Sequence, residues 1–202
     1  FNQDDSRKTI GLRLKSKFPV SDSITILGTG EYASQGDYKD ADNFGSLAYT
    51  LLEAGFSFKT HIENLAPITI IAGLEKLEGS IDDGESFITP FATLHTFHGR
   101  ADVFAGANTT GVYGPAGTAG IEDMYFSIGT RFFGTKMMAV YHQYEAEDDD
   151  SAISGYGDEI NLLAVKAFGK HYAIGAAYSD FNGDNDFRKD TKKFWLWSEI
   201  NF

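Results

Sequence analysis

Three cations, Arg13, Lys15 and Lys17, recur at every second position of a segment whose alternate residues include Ile10, Leu12 and Leu14. In a strand, alternate side chains point to opposite faces, so the cations share one face and the apolar residues the other. Towards lipid, each cation would cost about 2–4 kcal/mol near a bilayer midplane, so these three are expected to face water. The same period sets Glu53 and Lys59 against Ala54, Phe56 and Phe58. It sets Thr69, Ile71, Gly73 and Glu75 against Ile68, Ile70, Ala72 and Leu74. It sets Tyr125, Ser127 and Arg131 against Met124, Phe126 and Ile128, and Lys193, Trp195, Trp197 and Glu199 against Phe194, Leu196 and Ile200. A water-filled face carrying such cations could hold anionic solutes, as charge rings do in channels. Trp195 and Trp197 offer flat apolar faces on which sugar rings stack. The competing reading is that Glu31, Glu53, Glu75 and Glu199 neutralise the cations as pairs that merely stiffen a wall.

Other chemistry is sparse. His95 and His98 stand three apart, a spacing that could bind metal on a helix, but no third ligand clusters with them in sequence, so no metal site is expected. The oxygen donors Asp180, Asn182, Asp184 and Asp186 alternate as in a calcium loop. That loop needs Gly sixth and Glu twelfth, where Asn185 and Thr191 stand, so a solvated turn is expected. The run Glu147-Asp148-Asp149-Asp150 reads as a solvated loop tip able to bridge divalent cations to lipopolysaccharide. There is no Gly-x-Ser-x-Gly elbow, no phosphate loop and no Cys, so neither catalytic residues nor cofactors are expected.

The elements that must position these faces are strands. Period-two alternation predicts nine, at 8–18, 22–33, 46–59, 67–76, 122–132, 136–146, 158–168, 171–181 and 191–202. The seventh is apolar on both faces and cannot be phased. Short connections (19–21, 61–66, 133–135, 169–170) alternate with long ones (34–45, 77–121, 147–157, 182–190). Short turns at one end and long loops at the other are the asymmetry of an outer-membrane barrel. The last strand runs to a terminal aromatic, Phe202, as such barrels commonly end. Nine antiparallel strands cannot close on themselves, so further strands, amino-terminal or from a partner chain, are expected.

Composition agrees. Among 202 residues there are 22 Gly, 17 Phe, ten Tyr and only four Pro, which favours an all-β chain. No apolar run reaches 18 residues, so a transmembrane helix is not expected. A net charge of −12 argues against nucleic acid as a partner.

From Ser86 onward the chain resembles the alginate-export family of outer-membrane porins. The resemblance is carried by Thr89-Pro90-Phe91-Ala92-Thr93-Leu94-His95, Gly99-Arg100-Ala101-Asp102, Gly120-Ile121-Glu122-Asp123-Met124-Tyr125 and Ala139-Val140-Tyr141-His142. It continues through Tyr156-Gly157-Asp158-Glu159, Phe168-Gly169-Lys170-His171-Tyr172 and Asp190-Thr191-Lys192-Lys193-Phe194-Trp195-Leu196-Trp197. Gly11-Leu12-Arg13-Leu14 and Glu31-Tyr32-Ala33 follow the pattern more loosely, and Arg100 stands where the family usually has Trp. The resemblance implies that residues 1–202 are about the carboxy-terminal half of one transmembrane barrel of roughly 18 strands. It implies a Gram-negative outer-membrane location, lipid and lipopolysaccharide as surroundings, and passive passage of a small anionic or carbohydrate solute.

Two other readings stand beside it. One is a non-conducting barrel that sheathes or scaffolds a partner; the other is a soluble, secreted carbohydrate-binding sandwich. Connection 77–121 is too long for a passive hairpin. Its apolar middle, 87–98, is expected to fold inward as a constriction carrying Phe87, Phe91, His95 and His98, with Arg100 adding positive charge; the alternative is an exterior lid.

Overall fold

The computed structural model describes residues 7–38, 45–89, 98–104, 119–184 and 189–202. The described residues form eleven strands: β1 (Arg7–Pro19), β2 (Ile24–Asp37), β3 (Leu47–Phe58), β4 (Ile68–Leu77), β5 (Gly79–Ser80), β6 (Glu85–Ser86), β7 (Ile121–Phe132), β8 (Thr135–Glu145), β9 (Gly155–Phe168), β10 (Tyr172–Gly183) and β11 (Thr191–Ile200). Nine of them make one antiparallel meander in the order β1-β2-β3-β4-β7-β8-β9-β10-β11, and β5 and β6 form a small separate ribbon. All nine expected strands are present. Their ends move by a few residues: β2 runs on to Asp37, and β11 stops at Ile200, leaving Asn201 to donate its backbone N–H to His171 O at 2.8 Å. β1 and β11 are the two edges, and among the described residues no pairing joins them.

The two faces match the alternation. Outward, Leu12 is 67% exposed and Leu196 71%, and Ile10, Leu14, Phe56, Phe126, Ile128, Ile174, Phe194 and Ile200 are exposed with them. Phe58, Ile68 and Ile70 on the same face are half-buried. The register also phases β9. Glu159 pairs with His142 and Asn161 with Val140, so both point inward, while Ile160 and Leu162 are exposed outward.

The connections sort by length less cleanly than expected. The connection 59–67 is as long as 38–46 and 146–154, although it lies at the short-turn end. Its length is used in pairing beyond the sheet end. Leu65 bridges Phe132, Ala66 N donates to Arg131 O at 2.8 Å, and Phe133 N donates to Asn64 O at 3.0 Å. The β7–β8 connection is a two-residue turn with Phe133 at φ 47° and Gly134 at φ 76°, the conformation that suits the twist of a tight hairpin. Lys59 falls just past the end of β3, where its backbone N–H still donates to Ser23 O at 2.8 Å.

The core lies on the inner face at the long-loop end. Leu47, Leu77, Ile121, Tyr144, Tyr156 and Phe181 from the strands enclose Phe87, Ala101 and Phe104 from the 78–120 connection. A bulge at Tyr144/Glu145 shifts the β8–β9 register. Simple alternation would send Tyr156 outward, yet it is fully buried and donates its hydroxyl to Gly120 O at 3.1 Å. Re-aiming a side chain is a common use of a bulge.

Candidate functional site

Three adjacent rows of the sheet build the inner wall under the long connection. One carries Glu75, Asp123 and Tyr144 side by side on β4, β7 and β8. The next carries Gly73, Tyr125, His142, Glu159 and Phe181, and the third Asn161, Ser179 and Lys193. Gly73 leaves room for the Tyr125 ring, which lies where a Cβ would stand. Tyr125 donates its hydroxyl to Glu53 Oε1 at 2.7 Å, and Tyr49 donates to Glu75 Oε1 at 2.7 Å. His142 Nδ1 lies 2.9 and 3.0 Å from the two carboxylate oxygens of Asp123.

The described parts of the connection lie against this wall as a strap. Near β1 and β2, Arg7 Nη1 donates to Ser86 O at 2.7 Å, Ile88 N donates to Gln35 Oε1 at 2.9 Å, and Gln35 Nε2 donates to Ile88 O at 3.0 Å. At the other side, Arg100 N donates to Asn161 Oδ1 at 3.1 Å, Ala101 N to Glu159 Oε1 at 2.8 Å, and Lys193 Nζ to Asp102 Oδ2 at 3.5 Å. Phe104, 3% exposed, inserts among Tyr144, Tyr156 and Phe181 with ring centroids 4.7 to 6.0 Å away. His98 (φ 52°) and Gly99 (φ 83°) turn the chain sharply at the wall. A side chain at residue 99 would collide with Tyr144 OH and Glu159 Oε2, so both the conformation and the space require glycine.

His98 is 5% exposed, and its Nδ1 lies 3.7 Å from both Glu75 Oε2 and Asp123 Oδ2. Burial alone would lower its pKa. The neighbouring carboxylates of Asp123 and Glu75 outweigh that and hold the imidazole above its ordinary value. Outside the wall, Asp148 accepts backbone N–H groups from Ile81 (2.8 Å) and Asp150 (2.9 Å), which hold its carboxyl below the usual range.

The expected wall residues divide into two groups. Arg13 pairs with Glu31 at 3.0 Å on β1 and β2, and Trp197 Nε1 donates to Glu199 Oε1 at 3.0 Å. Lys193 lies 6.0 Å from the Trp195 ring centroid and also meets Asp102. Lys15, Lys17 and Arg131 are exposed, with no ion-pair partner among the described residues. Of the four acids expected to neutralise cations, Glu31 pairs with an arginine. Glu53 instead holds a tyrosine, Glu199 a tryptophan, and Glu75 a tyrosine and a histidine. Of the expected constriction residues, Phe87 and His98 are buried against the wall and Arg100 contributes through its backbone. Phe91 and His95 lie outside the described residues.

Sequence reasoning missed Asp123, His142, Tyr144, Glu159 and Phe104 as one cluster. Period-two phasing puts Asp123 with Tyr125 on the inner face, but only cross-strand register brings Glu75, Asp123 and Tyr144 abreast. No family model matches the chain, and neither a curated protein nor a solved structure matches it.

Proposed function

We propose that this sheet is part of an outer-membrane β-barrel of a Gram-negative bacterium, through which small anionic or carbohydrate solutes pass passively, similar to the alginate-export porins. One observation carries the reading: the nine-stranded sheet has one face of exposed Leu, Ile and Phe across its width and a polar, charged face opposite. Water does not stabilise such an apolar face, and hydrocarbon does. In a sandwich the same residues would pack against a second sheet, and among the described residues the only other sheet is the β5–β6 ribbon. In lipid, every edge backbone group needs a partner, so β1 and β11 call for further strands to close the wall. Exposed Lys15, Lys17 and Arg131 supply positive charge along the inner face beside the Arg13–Glu31 pair, and Trp195 and Trp197 supply stacking surfaces.

A second reading, a barrel that sheathes or scaffolds a partner without conducting, draws on the strap. The connection touches the wall from β1 to β11 and fills part of the inner face. Planar-bilayer recording separates the two. An anion-selective current that falls when Arg13, Lys15 and Lys17 become Gln supports the pore, and a silent bilayer supports the sheath. Deleting residues 87–99 removes the Phe87 and His98 anchors. Conductance is then expected to rise while the barrel stays heat-stable; unchanged conductance makes the connection an exterior lid.

A further inference from the structure

The inner wall and the strap converge on three buried donors of mixed type. Glu75, His98 and Asp123 are 6%, 5% and 1% exposed, and one ligand atom from each lies within 4.8 Å of the other two. We propose that Glu75, His98 and Asp123 form a site for a first-row divalent cation, zinc by preference, that staples the strap to β4 and β7.

A metal would draw the three ligand atoms together. Bonds of about 2.0–2.1 Å in a tetrahedral shell separate neighbouring ligand atoms by roughly 3.3 Å. The two nitrogen–oxygen separations are 3.7 Å and all three ligand atoms lie within 4.8 Å of one another, so His98 closes on each carboxylate by a few tenths of an ångström and the two carboxylates close on each other by up to about 1.5 Å. Each carboxylate ligand is also held from behind. Tyr49 donates to the Glu75 oxygen that does not face His98, and His142 Nδ1 bonds the Asp123 carboxylate. Such outer partners orient metal ligands and are nearly as important as the ligands themselves. Charge favours the same conclusion, because two carboxylates buried below a tenth exposure face one imidazole, and a dication balances both.

Beside the three ligands, Tyr144 OH and Glu159 Oε2 are buried with no hydrogen-bond partner among the described residues, and both abut Gly99, the residue after His98. They supply polar groups for a water completing the shell. One imidazole with two carboxylates suits zinc or manganese better than calcium, which prefers six to eight oxygens. The site concerns the strap's attachment and stands whether or not the barrel conducts.

The test uses the folded protein, stripped with a chelator and titrated with Zn²⁺ alone against a chromophoric competitor, with Mg²⁺ as control. One Zn²⁺ per chain is expected, with limited proteolysis of the 78–120 connection slowed when zinc is present. His98→Gln and Glu75→Gln are expected to abolish stoichiometric binding. Tyr49→Phe should weaken it about 10–100-fold, and exposed His171→Ala should leave it unchanged. His98→Cys, loaded with Co²⁺, should show a thiolate charge-transfer band, which puts residue 98 on the metal even if other variants fold poorly. Absence of stoichiometric binding, binding that survives His98→Gln, or a cobalt-loaded Cys variant without that band would overturn the site.

Discussion

Phe104 shows what a single side chain does for the strap. It touches Tyr144, Tyr156 and Phe181 from three different strands, so truncation leaves a cavity that none of them alone can fill. Phe104→Ala is expected to cost about 3–5 kcal/mol if the site cannot collapse. Faster protease cleavage within 78–120, with strand content by circular dichroism unchanged, is the measurement; equal cleavage rates would show that Phe104 does not anchor it. Asp148 gives a pH-dependent contact at the same end. Its carboxyl sits below the usual range because it accepts N–H groups from Ile81 and Asp150. A depressed folded pKa contributes stability above the unfolded value, about 3.9, and loses it as pH falls through the folded one. The Ile81 amide should therefore lose hydrogen-exchange protection in strong acid relative to neutral pH, and Asp148→Asn should show little of that difference. Neither contact was legible in the sequence. Phe104 sits in a stretch without period-two alternation, and Asp148 reads there as one of four solvated acids.

At the scale of elements, most of the fold was legible because a strand's alternation is a local property. β1, β3, β4, β7 and β11 each declare their faces through apolar residues alternating with polar or charged ones. β9 does not, since Leu163 and Val165 on its inner face are as apolar as Leu162 and Ala164 outside. Its phase comes from its neighbours, through the pairing of Asn161 with Val140 and Ser179. The bulge at Tyr144/Glu145 was equally invisible, because one extra residue breaks the period that the reading depends on. A charge on the outer face tests the phase directly. If the proposed bilayer setting holds, Leu196→Arg should destabilise the sheet by about 2–4 kcal/mol near the midplane, whereas Trp197→Arg on the inner face should cost far less. Equal costs in detergent- or bilayer-based unfolding would show that the two faces see the same solvent.

For the whole molecule, the odd strand count governs behaviour. β1 and β11 run in the same direction, so they cannot pair antiparallel, and among the described residues neither edge has a second partner strand. Residues 1–202 expressed alone are expected to associate edge to edge in detergent and not to form a closed monomer. Light scattering reads this out, and a heat-resistant monomer would contradict it. The site was less legible than the sheet for a reason of the same scale. Glu75 and Asp123 are 48 positions apart in the chain, and His98 lies in the loop linking their strands, so only the finished β4–β7 pairing sets the three together.

The strap also sets an order in time. It leaves β4 and returns to β7, both central strands, so its contacts with Asp123 and Tyr144 need only neighbouring pieces of chain. Its contact with Lys193 waits for β11, which lies much further along the chain (Asp102 to Lys193, 91 positions). Local pairings close early and distant ones late, because loop-closure entropy is paid before long-range contacts repay it. The Asp102–Lys193 pair is therefore a latch that can shut only when β11 has arrived, after the central wall and strap have already found each other. A spectroscopic reporter at those two residues would follow a later step of assembly, while one at Phe104 and Tyr144 would follow a step that precedes it.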